Sequence, residues 1–155
     1  MGQDPVDKPK NHRILLAEDN EDDYLLIRDA FEETGLPVEI RWVRDGEELL
    51  DYLLRRDDYA KPGSAPIPGL ILLDMKMPRK NGLEALKDIK AHPRLRLIPV
   101  VALSTSSAEE DIRAAYDLGI NAYVKKPVGF VLFLEAMEAV YNFWFKLAKR
   151  AVEET

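Results

Sequence analysis

The chain has 155 residues, 46% of them apolar and 32% charged, which is the composition of an ordinary globular protein with one domain and a substantial core. Its net charge of −6, with no block of lysine and arginine, disfavours nucleic acid as a partner. The lack of cysteine excludes disulfides, thiolate metal sites and a cysteine nucleophile.

Residues 1–12 are polar and contain Pro5 and Pro9, which predicts a flexible segment with no apolar core of a signal peptide. No apolar stretch approaches the roughly 20 residues that a membrane-spanning helix needs. Together with the lack of cysteine, these features favour a cytoplasmic protein with no membrane partner.

From residue 13 onward, short apolar runs alternate with helical patterns. In chain order the predicted elements are a strand over 13–17, a helix over 21–34, a strand over 38–43, a helix over 46–56, a strand over 70–73, a helix over 81–91, a strand over 99–103, a helix over 108–118, a strand over 122–124 and a helix over 128–150. Asn20 and Asp45 are predicted N-caps, and Gly35 and Gly119 are predicted to end helices. Regular alternation of this kind predicts an α/β fold with a parallel sheet and helices on both faces.

Residues 57–69 stand out between the second helix and the third strand. They include Pro62, Gly63, Pro66 and Pro68, and the segment is long for a connection within a compact domain. We therefore expect one domain over 13–150 with an insertion at about 57–69 and a tail at 151–155.

Carboxylates follow two of the predicted strands at the point where each strand ends. Glu18 and Asp19 come after the first strand, and Asp74 comes after the third. Because the carboxyl ends of parallel strands open onto one crevice, we expect these acids to lie close together. Such a cluster repels itself unless a cation neutralises it, and oxygen-only ligands favour Mg2+.

Two further strand ends bring groups that suit phosphoryl chemistry. Lys126 follows the fifth strand and would pair with a phosphoryl oxygen, and Ser104 at the end of the fourth strand has a hydroxyl for another. Asp74 is the candidate nucleophile, since a carboxylate oxygen can attack phosphorus when charge repulsion is offset. The alternative is that each acid merely caps a helix or is solvated at a strand end.

These residues together resemble the receiver domain of bacterial two-component response regulators, over roughly residues 14–144. The matching positions are the acidic pair Glu18-Asp19, the motif Asp74-Met75-Lys76-Met77-Pro78 with Gly82, the hydroxyl of Ser104, the aromatic ring of Tyr123, and Lys126-Pro127. The resemblance implies a flavodoxin-like (βα)5 fold with strand order 2-1-3-4-5.

The resemblance also implies roles for these positions. Asp74 would accept a phosphoryl group from a histidine kinase, and Asp19, Asp74 and the backbone carbonyl of Lys76 would ligate Mg2+, with Glu18 taking part through water. Ser104 and Tyr123 would form a switch pair, in which the hydroxyl moves toward the phosphoryl group and the ring turns inward. The protein would then be no enzyme in the ordinary sense, promoting only its own phosphorylation and dephosphorylation.

The motif has one departure from the family pattern and one ambiguous position, and the family adds one expectation about the backbone. Glu18 stands where aspartate is commoner, so its side chain is one methylene longer. Thr105 follows Ser104 directly, but the spacing of Ser104 to Lys126 fits the family better. In receivers the peptide bond between the lysine and proline is expected to be cis, which applies here to Lys126-Pro127.

The predicted C-terminal helix is unusually apolar. At about 100° per residue, one stripe assigned to the core consists of Phe133, Met137, Val140, Trp144 and Leu147. A neighbouring stripe, expected to be exposed in a monomer and to form a homodimer interface, consists of Phe130, Leu134, Tyr141, Phe145 and Ala148. The alternative is that the 57–69 insertion or the N-terminal segment covers this second stripe.

The favoured function is a stand-alone phosphoacceptor switch that takes its phosphoryl group from a histidine kinase and signals through altered binding. The insertion, the Glu-Asp pair and the aromatic helix resemble single-domain regulators of phytochrome-type kinases, and the phosphoryl group could pass onward to a histidine phosphotransfer protein. The alternative is a pseudo-receiver that binds partners without phosphorylation. A phosphatase with an aspartyl intermediate is disfavoured because Lys76 stands where a second aspartate is usual.

Overall fold

The computed structural model describes residues 12–151, so residues 1–11 of the predicted flexible segment and 152–155 of the predicted tail lie outside this range. Five parallel strands form one sheet in the order β2-β1-β3-β4-β5, which confirms the predicted flavodoxin-like topology. The elements are β1 (Arg13–Ala17), α1 (Glu21–Thr34), β2 (Glu39–Val43), α2 (Gly46–Leu54), β3 (Leu70–Asp74), α3 (Gly82–Ala91), β4 (Val100–Ser104), α4 (Glu109–Asp117), β5 (Ala122–Lys125) and α5 (Phe130–Tyr141).

Helices cover both faces of the sheet, and every residue of the central strands β3 and β4 is buried. Because successive side chains of a strand point to opposite faces, Leu15 packs with α2 and α3, while Ile14 and Leu16 pack with α1 and α5. This two-sided burial explains why β1, β3 and β4 have nearly continuous apolar runs in the sequence.

The strand register brings the carboxyl ends of β1, β3, β4 and β5 to one edge. Ala17 pairs with Leu73, Asp74 pairs with Leu103, and Ser104 pairs with Lys125. Residues that directly follow these strands therefore leave the sheet at the same edge, where ligands of open α/β sheets bind.

The helix ends follow local chemistry. Asn20 caps α1 by accepting the Asp23 N–H through its side chain, and Gly35 ends the helix with a left-handed φ of 68°. The helix α2 ends at Leu54, two residues before the predicted end, because Arg55 adopts a left-handed φ of 55°. Within residues 12–151 no helix combines the length and the apolar character needed to cross a membrane.

The insertion at 57–69 packs against the α2 side of the sheet. Ala65 is buried there, the Tyr52 hydroxyl of α2 donates a hydrogen bond of 2.7 Å to the carbonyl of Pro66, and the Arg13 guanidinium donates one of 2.8 Å to the carbonyl of Ile67. Since α5 lies on the opposite face, the insertion does not cover its second apolar stripe.

The C-terminal helix differs from the prediction of one α-helix over 128–150. The α-helix ends at Tyr141 and continues as a π-helical segment, Asn142–Leu147. A π-helix closes its hydrogen bonds five residues apart instead of four, so the α-helical spacing no longer assigns side chains to faces. As a result Phe145 is 8% exposed and Leu147 is 73% exposed, the reverse of the prediction for both residues.

Tyr141 and Phe145 are covered by the residue that precedes β1. The His12 ring centroid lies 5.4 Å from that of Tyr141 and 4.8 Å from that of Phe145, and His12 Nδ1 is hydrogen-bonded to the Tyr141 hydroxyl at 2.8 Å. The prediction that Tyr141 and Phe145 lie exposed as interface residues is therefore wrong. Phe130 is exposed and Leu134 is half-buried.

The π-helical segment predicts unequal costs for two similar truncations. We expect Phe145→Ala to lower the free energy of unfolding by about 3 kcal/mol, because it leaves a cavity beside Tyr141. Leu147→Ala should change it by less than about 0.5 kcal/mol, because that side chain is exposed. Urea unfolding of both variants measures the difference, and a larger cost for Leu147→Ala than for Phe145→Ala would argue for a continuous α-helix.

Candidate functional site

The three predicted acids meet at the carboxyl edge of the sheet. Glu18, Asp19 and Asp74 each have a carboxylate oxygen within 4.8 Å of the others. Glu18 and Asp74 are buried, whereas Asp19 is exposed. The site is therefore an acidic notch with a buried floor and one solvent-facing carboxylate at its mouth.

Lys126 brings the compensating positive charge from the end of β5. Its Nζ lies 2.9 Å from Glu18 Oε1 and 3.6 Å from Asp74 Oδ2. No peptide bond within residues 12–151 is cis, so the expectation of a cis bond before Pro127 is wrong. The lysine reaches the notch with a trans bond, and its backbone N–H is anchored to the Ser104 carbonyl at 2.6 Å.

Asp23 is a site residue that the sequence reasoning missed. Its Oδ2 lies 3.0 Å from Lys126 Nζ, although Asp23 is in the first turn of α1 and not at a strand end. The sequence signal that could have found Asp23 is its spacing. Asp23 is the third residue after the N-cap Asn20, in the first turn of the helix that directly follows the acidic pair.

One backbone donor holds the side chain of Glu18, and one side-chain donor holds its backbone carbonyl. Oε2 accepts the Asn20 N–H at 3.2 Å, and the Glu18 carbonyl accepts the indole N–H of Trp42 at 2.8 Å. Oε1 has no well-directed hydrogen bond within residues 12–151, although the Lys126 ammonium lies beside it. The longer side chain thus places a partly unsatisfied oxygen in the notch.

Asp74 is fixed by the turn that follows β3. Its Oδ1 accepts the Lys76 N–H at 3.2 Å, and the Gly82 N–H is bonded to the Met75 carbonyl at 3.2 Å. A Cβ atom at Gly82 would lie 2.8 Å from the Asp74 carbonyl oxygen and 2.6 Å from Met75 Cα. Only glycine therefore fits the close approach of α3 to this turn.

Burial raises the pKa values of both buried carboxyls in the notch. Burial, with the charge of Asp74, raises the pKa of Glu18 to about 8. Burial also raises the pKa of Asp74, against the lowering effect of the Lys126 charge. Burial alone would lower the pKa of Lys126, but its contacts with Glu18 and Asp23 raise it above the ordinary value.

The donor set fits a hard divalent cation. Its three convergent ligands are all carboxylates, and one of their oxygens, Glu18 Oε1, is buried without a hydrogen bond in the described part of the chain. Oxygen ligands of this kind suit Mg2+, which would also offset the repulsion between the carboxylates. The predicted magnesium site is thus chemically consistent with the geometry.

Ser104 and Tyr123 line a common cavity beside the notch. The cavity has a volume of about 90 Å3 and is bounded by Met75, Lys76, Leu83, Ser104, Asp111 and Tyr123. Ser104 is buried and its Oγ accepts the Ser106 N–H at 3.1 Å, whereas Thr105 is exposed. The Tyr123 hydroxyl donates a hydrogen bond of 3.0 Å to the Ser106 carbonyl, so one loop connects the two side chains.

The raised pKa of Glu18 predicts a pH dependence for the metal-free protein. Between the ordinary carboxyl pKa of about 4.3 and the folded value of about 8, the folded state keeps a proton that the unfolded chain has released. The free energy of unfolding should therefore fall as the pH rises from about 5 to 8 in EDTA. Urea unfolding should show a shallower decline for Glu18→Gln and an unchanged one for Glu21→Gln; equal slopes in all three proteins would contradict this assignment.

Comparison with known proteins agrees with this arrangement. The sequence profile of the response regulator receiver domain matches residues 14–138. The probable methanogenesis regulatory protein FilR2 of Methanothrix harundinacea is 40% identical over 131 residues, which cover 84% of this chain and 82% of that protein.

Two solved structures share the fold over nearly all of this chain. The phosphorylated cyanobacterial phytochrome response regulator RcpA is 39% identical with a TM-score of 0.83, covering 90% of this chain and 98% of that one. The Mn2+-bound form of response regulator Rcp1 is 33% identical with a TM-score of 0.82, covering 93% and 100%. The chain belongs to the response regulator receiver domain family.

Proposed function

We propose that the chain is a phosphoacceptor switch in which Asp74 takes a phosphoryl group from a histidine kinase in the presence of Mg2+. The observation that carries this proposal is the buried Asp74 carboxylate, which lies within 4.8 Å of two further acids and 3.6 Å from a lysine ammonium. The acids fit a cation, the ammonium fits a phosphoryl oxygen, and the aspartate is a nucleophile.

In the proposed transfer, a carboxylate oxygen of Asp74 attacks the phosphorus of a phosphohistidine. The new bond joins oxygen to phosphorus, the bond between phosphorus and nitrogen breaks, and the imidazole nitrogen keeps the electron pair and takes up a proton. Lys126 stabilises the charge on the phosphoryl oxygens, and the Lys76 N–H, bonded to Oδ1 at 3.2 Å, holds the carboxylate in orientation.

Asp19, Asp74 and the backbone carbonyl of Lys76 would hold the cation, with Glu18 near enough to take part through water. When bound, Mg2+ offsets the repulsion between the acids and the incoming phosphoryl group and polarises its oxygens. The exposure of Asp19 leaves the notch open to a phosphodonor.

Ser104 and Tyr123 are proposed as the switch pair. The cavity of about 90 Å3 between them has room for a side-chain movement, and the Ser106 backbone is hydrogen-bonded to both residues. If the Ser104 hydroxyl turns to a phosphoryl oxygen, it releases the Ser106 N–H. The loop that holds the Tyr123 hydroxyl then shifts, which transmits the change to β5.

The proposed donor is a phytochrome-type histidine kinase. This proposal is supported by the similarity to RcpA, a phytochrome response regulator, and by the insertion and aromatic C-terminal helix noted in the sequence. Onward transfer to a histidine phosphotransfer protein would use the same reaction in reverse at Asp74. The cytoplasmic location stays a prediction.

The phosphoacceptor assignment predicts the result of labelling with acetyl phosphate. With Mg2+, the wild-type chain should gain one phosphoryl group by intact-mass spectrometry, because Asp74 alone among the three carboxylates of the notch is proposed as the nucleophile. Asp74→Asn should abolish the gain, whereas Asp22→Asn, which changes an exposed acid of α1, should leave it intact. Undiminished labelling of Asp74→Asn would refute the assignment.

The same variants test the kinase. Phosphorylated phytochrome-type kinase should transfer its label to the wild-type chain faster than an unrelated phosphorylated histidine kinase does. Neither kinase should transfer label to Asp74→Asn. Equal rates from both kinases would remove the phytochrome partnership while leaving the phosphoacceptor assignment in place.

We propose further that the chain forms a homodimer through the start of α5. Four apolar side chains lie exposed within five residues there: Val128 at 84%, Phe130 at 38%, Val131 at 66% and Leu132 at 51%. Clusters of this kind mark interaction surfaces, and this cluster directly follows Lys126-Pro127. Of the interface residues predicted from the sequence, Phe130 and Leu134 remain available to it, and Tyr141 and Phe145 do not.

The dimer surface is tested by charge substitution. Phe130→Glu and Val131→Glu should each lower the molar mass measured by light scattering toward that of one chain, because a buried unpaired carboxylate opposes association. Leu97→Glu alters an equally apolar, 45% exposed residue outside this surface and should leave the mass unchanged. A dimer that survives both α5 substitutions would exclude this surface.

A further inference from the structure

Asp23 contacts Lys126 in the notch but has no part in the transfer described above. Its Oδ2 is 3.0 Å from Lys126 Nζ, closer than Asp74 Oδ2 at 3.6 Å. The Asp23 side chain is 35% exposed and the Lys126 side chain 10%, so the pair lies between solvent and the buried floor. Lys126 Nζ therefore lies closer to Asp23 Oδ2, and to Glu18 Oε1 at 2.9 Å, than to the phosphoacceptor Asp74.

The Asp23 carboxylate can reach Lys126 because α1 lacks the reciprocal cap that α3 has. In α3 the cap is reciprocal, since Glu84 accepts the N–H of Asn81 and Asn81 accepts the N–H of Glu84. In α1 the Asn20 side chain accepts the Asp23 N–H, but the Asn20 N–H donates to Glu18 Oε2 instead. Glu18 thus takes the place that the third helical residue would fill in a reciprocal cap.

The direction of the Lys126 ammonium follows from its three neighbours. An ammonium has three N–H donors, and Glu18, Asp23 and Asp74 are within 4 Å of it. Among these contacts, the one to Asp23 has good hydrogen-bond geometry, whereas Glu18 Oε1 lacks such a bond within residues 12–151. A phosphoryl group on Asp74 must therefore compete with Asp23 for this ammonium.

We propose that Asp23 is a positioning residue that acts through Lys126. Asp23 holds the Lys126 ammonium beside its own carboxylate and thereby opposes the phosphorylated state of Asp74. The proposal rests on the phosphoacceptor function proposed above. Loss of the Asp23 charge removes a competitor for Lys126 and also a negative charge near the incoming phosphoryl group. Both effects favour the phosphorylated state, so Asp23 sets how readily the switch turns on.

The test uses the full chain with Mg2+ and beryllofluoride. Beryllofluoride is an analogue of the phosphoryl group that binds without a phosphodonor. Asp23→Asn keeps the side-chain shape and should bind the analogue roughly five-fold more tightly than wild type. Asp22→Asn, which neutralises the adjacent exposed acid, should match wild type, and Asp23→Glu should restore wild-type affinity because it restores the carboxylate. Titrations followed by nuclear magnetic resonance give the affinities.

A second measurement separates positioning from a purely structural effect. Without the analogue, the 15Nζ resonance of Lys126 should shift in Asp23→Asn and not in Asp22→Asn, and its ammonium protons should exchange faster with water. Unchanged Lys126 resonances, or an Asp23→Asn affinity equal to or weaker than that of wild type, would overturn the role of Asp23. Failure of the wild-type chain to bind beryllofluoride at all would overturn the proposed function, and this role with it.

Discussion

The compensation of buried carboxylates by one lysine is the interaction on which the site depends. Glu18 and Asp74 are buried at the ends of adjacent strands, where unpaired charges would be costly. A single ammonium, that of Lys126, contacts both and also Asp23. Burial is the main cause that holds the pKa values of both carboxyls high, and a divalent cation in the notch would favour their charged forms.

Much of this site could be predicted because strand register is a strong constraint. A parallel sheet aligns strand ends, so the acids after β1 and β3, the hydroxyl of β4 and the lysine after β5 had to meet at one edge once the strands were recognised. Asp23 could not be predicted from strand register because it lies on the helix α1. Its role depends on whether the cap of α1 is reciprocal, which is decided by the Glu18 side chain and not by a sequence pattern.

The fold was likewise predictable where the hydrophobic periodicity of the sequence determines an element. It was not predictable where a local change in backbone geometry ends or alters a helix. The strands and α1 follow their patterns, but α2 ends early at a left-handed Arg55 and the C-terminal helix changes to π-helical geometry after Tyr141. A helical projection with a constant angle per residue cannot include that change. It therefore predicted an exposed Phe145 and a buried Leu147, the reverse of what the structure has. The packing of His12 on the same stripe involves a contact between the two ends of the described chain, which local patterns do not encode.

These corrections alter how a signal could leave the notch. Tyr141 and Phe145, near the far end of the C-terminal helix, are buried beside His12 and belong to the core. A cluster of exposed apolar residues lies at the start of α5, within a few residues of Lys126. The Lys126 backbone is bonded to the Ser104 carbonyl, and β5 also contains Tyr123. A shift of Lys126 or Ser104 would thus reach an apolar surface through a few covalent bonds, so the distance over which coupling must act is short.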